Sequence, residues 1–455
     1  MRRESIRIWM RYWQQNKRLI NGLKAGGKLK IVIAVIIFSA IILFHELGHF
    51  LLAKKNHVVV KEFSLGMGPR LLSTVRGETR YSLKLLPIGG SCMMLGEDED
   101  GDGPGSFNAA SPWARIAIIA AGPVFNFIMA FLLAVIIVGC VGYVPAEVME
   151  VEENSPAQEA GLREGDIIKE FDGYHVDIGN DIYAYTIFNE LKQKPTTIVF
   201  ERDGQEHTVT YTPDVLTRYL LGFNRVNADS MEVGSMIEGM PLESSGIQVG
   251  DVITKINGTS VTESGAYDDY IEKNPLGDEP VTLTYERNGK SYETTVTPKQ
   301  YDTVKMGFNY NLGCVKTSGL NVLKYSALEV KYWIRTTVHS IGMLIQGQFG
   351  IKDLTGPVGV VDVIGDTYEQ TQSEGTLMVW MNMLNLAILL SANLGVMNLL
   401  PFPALDGGRL VFLLFEVIFR RPVNRQVEGM IHFAGLMLLM LLMVVVMYND
   451  VMRIF

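Results

Sequence analysis

Residues 45 to 49 read His-Glu-Leu-Gly-His, with the two histidines four positions apart. On a helix, residues i and i+4 lie one above the other on the same face. Two imidazoles so placed can hold one Zn²⁺ at about 2.0–2.1 Å, and Glu46 projects beside them, within reach of a water at that metal. The chemistry implied is hydrolysis, with Glu46 as general base. His45 and His49 supply two protein ligands, and such a site needs a third. Asp406, in "NLLPFPALDGG" at 398–408, is the candidate. Two prolines there break the helix, and Gly407 and Gly408 permit close approach. Irregular backbone at membrane depth is tolerated where it is buried in protein or lines a watery cavity.

The motif occupies a stretch that otherwise reads as a membrane span. Ionisable groups inside a span are costly, and their default reading is functional. The 455-residue chain is 48% hydrophobic with mean hydropathy +0.17 and only 20% charged. The apolar residues crowd into four runs near the roughly 20 residues that a bilayer requires: 31–53, 116–144, 377–405 and 430–448. His432, alone on the fourth, reads as a packed or hydrogen-bonded histidine. The net charge of −9 lies mostly in the soluble part and speaks against a nucleic-acid partner. Cys92, Cys140 and Cys314 are too scattered for a disulfide framework or a cysteine metal site.

Arginine and lysine after spans one and three place both loops in the cytoplasm, leaving the soluble insert outside. The tail, residues 1–28, runs against this: residues 1–30 carry nine Lys/Arg and one acid, Glu4. A translation start at Leu29, or a basic amphipathic segment lying on the membrane, would reconcile the two.

The insert is a tandem repeat. Pro156, Gly161, Gly165-Asp166, Gly173, Pro213 and "GFN" at 222 each recur 85 positions later (241 − 156, and so on), and "ERDG" at 201 meets "ERNG" at 286. Short alternating strands with Asp-Gly and Asn-Gly turns fill each copy. The stretch "SPAQEAGL" reads as a capped helix, with Ser155 as N-cap and Pro156 first. The copies, taken as 145–225 and 230–310, resemble the PDZ domains of bacterial proteases. Such domains bind peptide termini by strand addition, or act here as a sieve. An amphipathic run at 322–345, within a connector spanning 316–376, is expected to lie along the outer membrane face as a lid.

HExxH in span one, NxxPxPxLDG in span three, four spans and PDZ units together resemble the site-2 protease family. The tandem copies resemble its bacterial regulator-of-sigma-E branch. Further matching pieces are "FSLGMGP" (63–69), "LLPIGGSCMMLGE" (85–97), "AAGPVFNF" (120–127) and "LTGPVGVV" (354–361). The resemblance implies a polytopic α-helical membrane protein: a catalytic membrane part (29–144 and 377–455), a membrane-associated β-element, and two α+β PDZ units between spans two and three. It implies zinc proteolysis within the membrane, with His45, His49 and Asp406 as ligands and Glu46 as base. Asn398, and with it Asn393, would contact the substrate backbone or steady the oxyanion. A β-element carrying Gly89 and Gly90 would pair with an unwound substrate. Substrates would be single-span membrane proteins already cleaved by another protease, such as anti-sigma factors or signal-peptide remnants. The enzyme would sit in a bacterial cell membrane with its active site towards the cytoplasm. Two alternatives remain at this stage: an HtpX-like membrane zincin, and a non-catalytic PDZ scaffold with a structural zinc.

Overall fold

The computed structural model describes residues 30–454 except 98–102, 228–229, 312, 349, 351–353 and 422. The basic tail therefore lies outside the described residues. Among the described residues, the chain forms two compact units, residues 30–145 with those from 313 onward, and residues 146–311.

Among the described residues, the first unit holds four helices long and apolar enough to cross a membrane. They are α1 (Lys30–Lys55), α2 (Pro112–Cys140), α8 (Thr376–Leu399) and α10 (Arg425–Ile454). The third apolar run stops being helical at Leu399, because Pro401 and Pro403 cannot continue it. After the irregular stretch 400–405, a helix absent from the sequence reading begins at the aspartate itself: α9 (Asp406–Phe419). The amphipathic run forms α6 (Leu320–Ile345). It packs on α2 and α8 through Ala130, Ala134, Val330 and Ile388. It is followed by α7 (Pro357–Thr371).

Between α1 and α2 lie two long strands, β1 (Val60–Arg76) and β2 (Thr79–Met94). The β-element expected around Gly89 and Gly90 is β2, and β1 is its long partner. The ribbon curls back on itself. Residues 62–65 pair on one side with 90–93 and on the other with 80–83. Glu62, 5% exposed, ties the curl together, accepting from Arg70 Nε at 2.8 Å and Ser82 Oγ at 2.6 Å. Arg70, then burial and Ser82, set its carboxyl, which is held down at about 2. The far part of the ribbon exposes Met67, Leu71, Leu72, Val75, Leu83, Leu85 and Leu86.

The second unit contains the repeat. The strands β3 (Val148–Val151), β4 (Ile167–Phe171), β5 (Tyr174–His175), β6 (Thr196–Arg202) and β7 (Gln205–Tyr211), with the short helices α3 (Pro156–Glu159) and α4 (Gly179–Phe188), build the first core. The strands β8 (Val215–Leu220), β9 (Phe223–Arg225), β10 (Val233–Met236), β11 (Val252–Ile256), β12 (Thr259–Ser260), β13 (Val281–Arg287) and β14 (Lys290–Val296) follow, with α5 (Ala266–Lys273) between β12 and β13. The unit ends with β15 (Lys299–Val304) and β16 (Phe308–Tyr310). Each copy has a four-stranded sheet of the same order, β5-β4-β6-β7 and β12-β11-β13-β14. Each is locked by the same buried pair. Arg202 Nε meets Asp166 at 2.7 Å and Arg287 Nε meets Asp251 at 2.7 Å.

The linear boundaries 145–225 and 230–310 miss one exchange. The strand β9, from the end of the first copy, pairs with β10, and Leu221 lies in the second core. The strand β16, from the end of the second copy, pairs with β3, and Phe308 lies in the first core. Sequence offset cannot reveal this, since "GFN" fits either copy equally. The exchange makes Phe308→Ala a test of topology. It is expected to cost about 3 kcal/mol and, by hydrogen exchange on the full chain, to remove amide protection from β4 and β6 rather than β11 and β13.

Candidate metal centre

The opening motif lies on α1, with both imidazoles buried. Their rings meet edge to face at 4.8 Å, and His45 Nε2 is 3.2 Å from His49 Nε2. Asp406, at the first position of α9, brings Oδ2 to 3.2 Å from His45 Nε2 and 3.5 Å from His49 Nε2. This carboxylate oxygen is buried and accepts no hydrogen bond. Ligands bound tetrahedrally at 2.0–2.1 Å stand about 3.3 Å apart. The triangle of donor atoms therefore has the size and the hard-oxygen, imidazole character of a His₂-carboxylate zinc site, and the residues fit the ion.

The centre depends on α2 as much as on α1. His49 Nδ1 donates to the Ile118 carbonyl at 2.9 Å, which leaves the Nε2 lone pair free for a metal. The Asn126 amide lies 3.1 Å from His45 Nδ1. Asn126 is fully buried, and its Oδ1 has no hydrogen-bond partner. A half-turn about Cβ–Cγ exchanges amide O for N. With oxygen towards the ring, Nδ1–H donates to it and His45 Nε2 is free as well. Ser391 Oγ, on α8, donates to the Asn126 carbonyl at 2.8 Å and ties this helix to the third span. A Cβ on Gly122 would stand 2.3 Å from His49 Nε2 and 2.7 Å from His45 Cε1, so only glycine leaves room for both rings. Gly122 and Asn126 sit within the "AAGPVFNF" match but were given no role. An Asn inside an apolar run was the available signal.

Glu46 is half-buried and makes no hydrogen bond among the described residues. A Cβ on Gly90 would lie 3.0 Å from Glu46 Cγ, so β2 passes directly beside this side chain. Gly89, at φ +90°, turns the strand there against Met67. Asn398, one residue before α8 ends, is likewise half-buried and without a hydrogen bond among the described residues. Asn393 is engaged: its Oδ1 accepts from Thr337 Oγ1 on α6. The structure thus gathers His45, His49 and Asp406, sets Glu46 against Gly90, and joins Asn393 to the amphipathic helix.

A helix-borne imidazole pair, completed by a carboxylate from another membrane-unit segment and flanked by an unpaired glutamate, defines a membrane metallohydrolase. The chain belongs to peptidase family M50, whose sequence profile matches residues 33–442. It is similar to the zinc metalloprotease RasP of Geobacillus kaustophilus, at 31% identity over 93% of this chain and 98% of the relative. It resembles RasP of Shouchella clausii at 32% identity, over 92% of this chain and 98% of that one. The regulator of sigma-W protease RasP of Bacillus subtilis is 28% identical, over 93% and 99%. The chain is an intramembrane zinc metalloprotease of the site-2 type, and the zincin and scaffold alternatives fall away.

The outer partner of His45 is open to test. Asn126→Leu should weaken zinc binding about 10- to 100-fold, measured by competition with a chromogenic chelator, while the helical circular-dichroism signal is retained.

Proposed function

We propose that His45, His49 and Asp406 hold the zinc, that Glu46 is the general base, and that the protein cleaves single-span membrane proteins within their membrane segment. The carrying observation is the triangle of three lone-pair atoms with an unpaired Glu46 beside it and the edge of β2 passing over that glutamate. Zinc in such a set supplies Lewis acidity. Glu46 takes the proton of the attacking water and passes it to the leaving amide nitrogen. The Asn398 amide N–H donates to the developing oxyanion.

A transmembrane helix must unwind before it can be cut, since its carbonyls are bonded within it. The curled β1–β2 ribbon offers an edge for the freed backbone. Residues 90–93 pair with 62–65 on one side, and among the described residues no strand takes the other. Gly89 and Gly90 keep that edge bare of side chains next to Glu46. The exposed apolar residues of the ribbon support its immersion in lipid, where unsatisfied backbone costs most and strand addition gains most.

The loops rich in Lys and Arg support a cytoplasmic active site and an external repeat unit. That unit reads as two PDZ domains that have traded one strand, available for peptide termini or as a sieve. The name of the Bacillus subtilis relative, regulator of sigma-W protease, supports a sigma-factor regulator as substrate, and we infer that it is first shortened outside by another protease.

Zinc content and cleavage separate the roles. Glu46→Gln should retain one zinc per chain and lose cleavage of a reporter transmembrane segment by at least ~100-fold. Asp406→Ala should lose both. A cleaving Glu46→Gln enzyme would remove Glu46 as the base.

A further inference from the structure

Span four is sparsely enclosed, as a lipid-facing helix is. Between residues 426 and 452 only Gly435, Val446 and Asp450 are buried. They mark two attachment points. At one, Asp450 accepts the Gly356 and Gly359 N–H groups at 3.1 and 2.9 Å, at the start of α7. At the other, α10 meets the irregular stretch 400–405. There the Ala404 N–H donates to His432 Nδ1 at 2.9 Å. A Cβ on Gly435 would lie 2.5 Å from both the Cβ and the carbonyl oxygen of Pro403. The His432 ring also lies 5.5 Å from Phe412 of α9.

Ala404 has φ +77°, the left-handed region that non-glycine residues avoid. Such a conformation persists only when its surroundings over-determine it. Here it turns the chain two residues before Asp406. Without an acceptor for its N–H in an apolar setting, Ala404 has both strain and an unsatisfied donor to relieve. A relaxed Ala404 re-aims Leu405 and the first turn of α9, which carries the carboxylate. A polar side chain in a membrane span calls for a named partner, and that of His432 is the Ala404 N–H.

We infer that His432 is a positioning residue. Span four latches the turn at Ala404, and through it holds Asp406 in register with the two imidazoles. Gly435 is the second half of the latch, admitting Pro403 against the helix. This rests on the reading of Asp406 as a metal ligand, and the experiment keeps the two apart.

Full-length protein in detergent is titrated with Zn²⁺ against a competing chelator, and with Co²⁺ while its visible d–d bands are recorded. His432→Leu is expected to bind Zn²⁺ about 10- to 100-fold more weakly and to alter the Co²⁺ bands, whereas His432→Asn, whose amide oxygen can accept from Ala404, should return to within about threefold of the parent. Gly435→Ala, which keeps the imidazole, should also weaken metal binding. Asp406→Ala is the control: parental affinity in that variant would refute the ligand reading itself. If Asp406→Ala loses zinc while His432→Leu keeps parental affinity and spectrum, the latch is refuted. Equal weakening in His432→Leu and His432→Asn also refutes it, since bulk packing rather than the acceptor would then be responsible. If His432→Leu does not fold, His432→Asn and Gly435→Ala decide. A near-parental Asn variant with a weakened Ala variant supports the latch, and any other pairing overturns it.

Discussion

The membrane unit brings together three donor atoms that a single divalent cation would join. His45 Nε2, His49 Nε2 and Asp406 Oδ2 stand 3.2 to 3.5 Å apart in a largely buried site. Burying such groups without a partner is expensive, and a divalent ion turns that cost into binding energy. The ion cannot gather the groups unaided, because they come from segments some 360 positions apart. The protein must first hold the segments close. Small residues do this: Gly48 lies under the Ala121 carbonyl, Gly122 under the two rings, and Gly395 against Phe127. Without a hydrophobic drive between helices in lipid, close backbone approach is what membrane helices have to pack with.

The same constraint explains the polar residues dispersed through the spans. Ser391 serves the Asn126 carbonyl, Thr337 serves Asn393, Asp450 serves two amides of α7, and His432 serves Ala404. Each satisfies a backbone or side-chain group in or beside the spans, where an unpaired polar group is costly. Glu46 and Asn398 differ, having no hydrogen bond among the described residues. Lack of a partner is not by itself a sign of function, since Asn385 on α8 shares it. What distinguishes Glu46 is that it follows His45 directly and lies beside the bare edge at Gly90.

The chemistry was legible because its spacing is local. Four residues separate the histidines, and a helix fixes what that means. Asp406 was legible because prolines and glycines announce broken backbone, although not that a helix starts at the aspartate. The repeat was legible because it is periodic, and the Asp166–Arg202 and Asp251–Arg287 locks recur at the same offset. What stayed hidden is relational. The "GFN" strands carry nothing that says which copy they close. The strand β1 is broken by Gly66, Gly68 and Pro69 and lacks a clean alternation, so its pairing depends on the curl around Glu62. Asn126 and His432 are single polar residues in apolar runs, and their targets are a ring and a strained amide that no linear pattern displays.

A site assembled this way has a consequence for how it can be controlled. The candidate ligands sit on α1 and α9, the outer partners of the two histidines on α2, and the turn before Asp406 donates a hydrogen bond to α10. The helix α1 is packed against α2 by close backbone contact, so the imidazole pair forms a stiff half. The carboxylate half is carried by α9, which is anchored by the Arg115–Glu416 and Arg409–Glu97 ion pairs and by Leu410 and Leu413 in the core shared with α1, α2 and the ribbon, while the turn before it is strained at Ala404. Free energies of local opening follow buried contact, so the sparsely held part of the centre is the stretch 400–405, no residue of which is fully buried, rather than α9 itself.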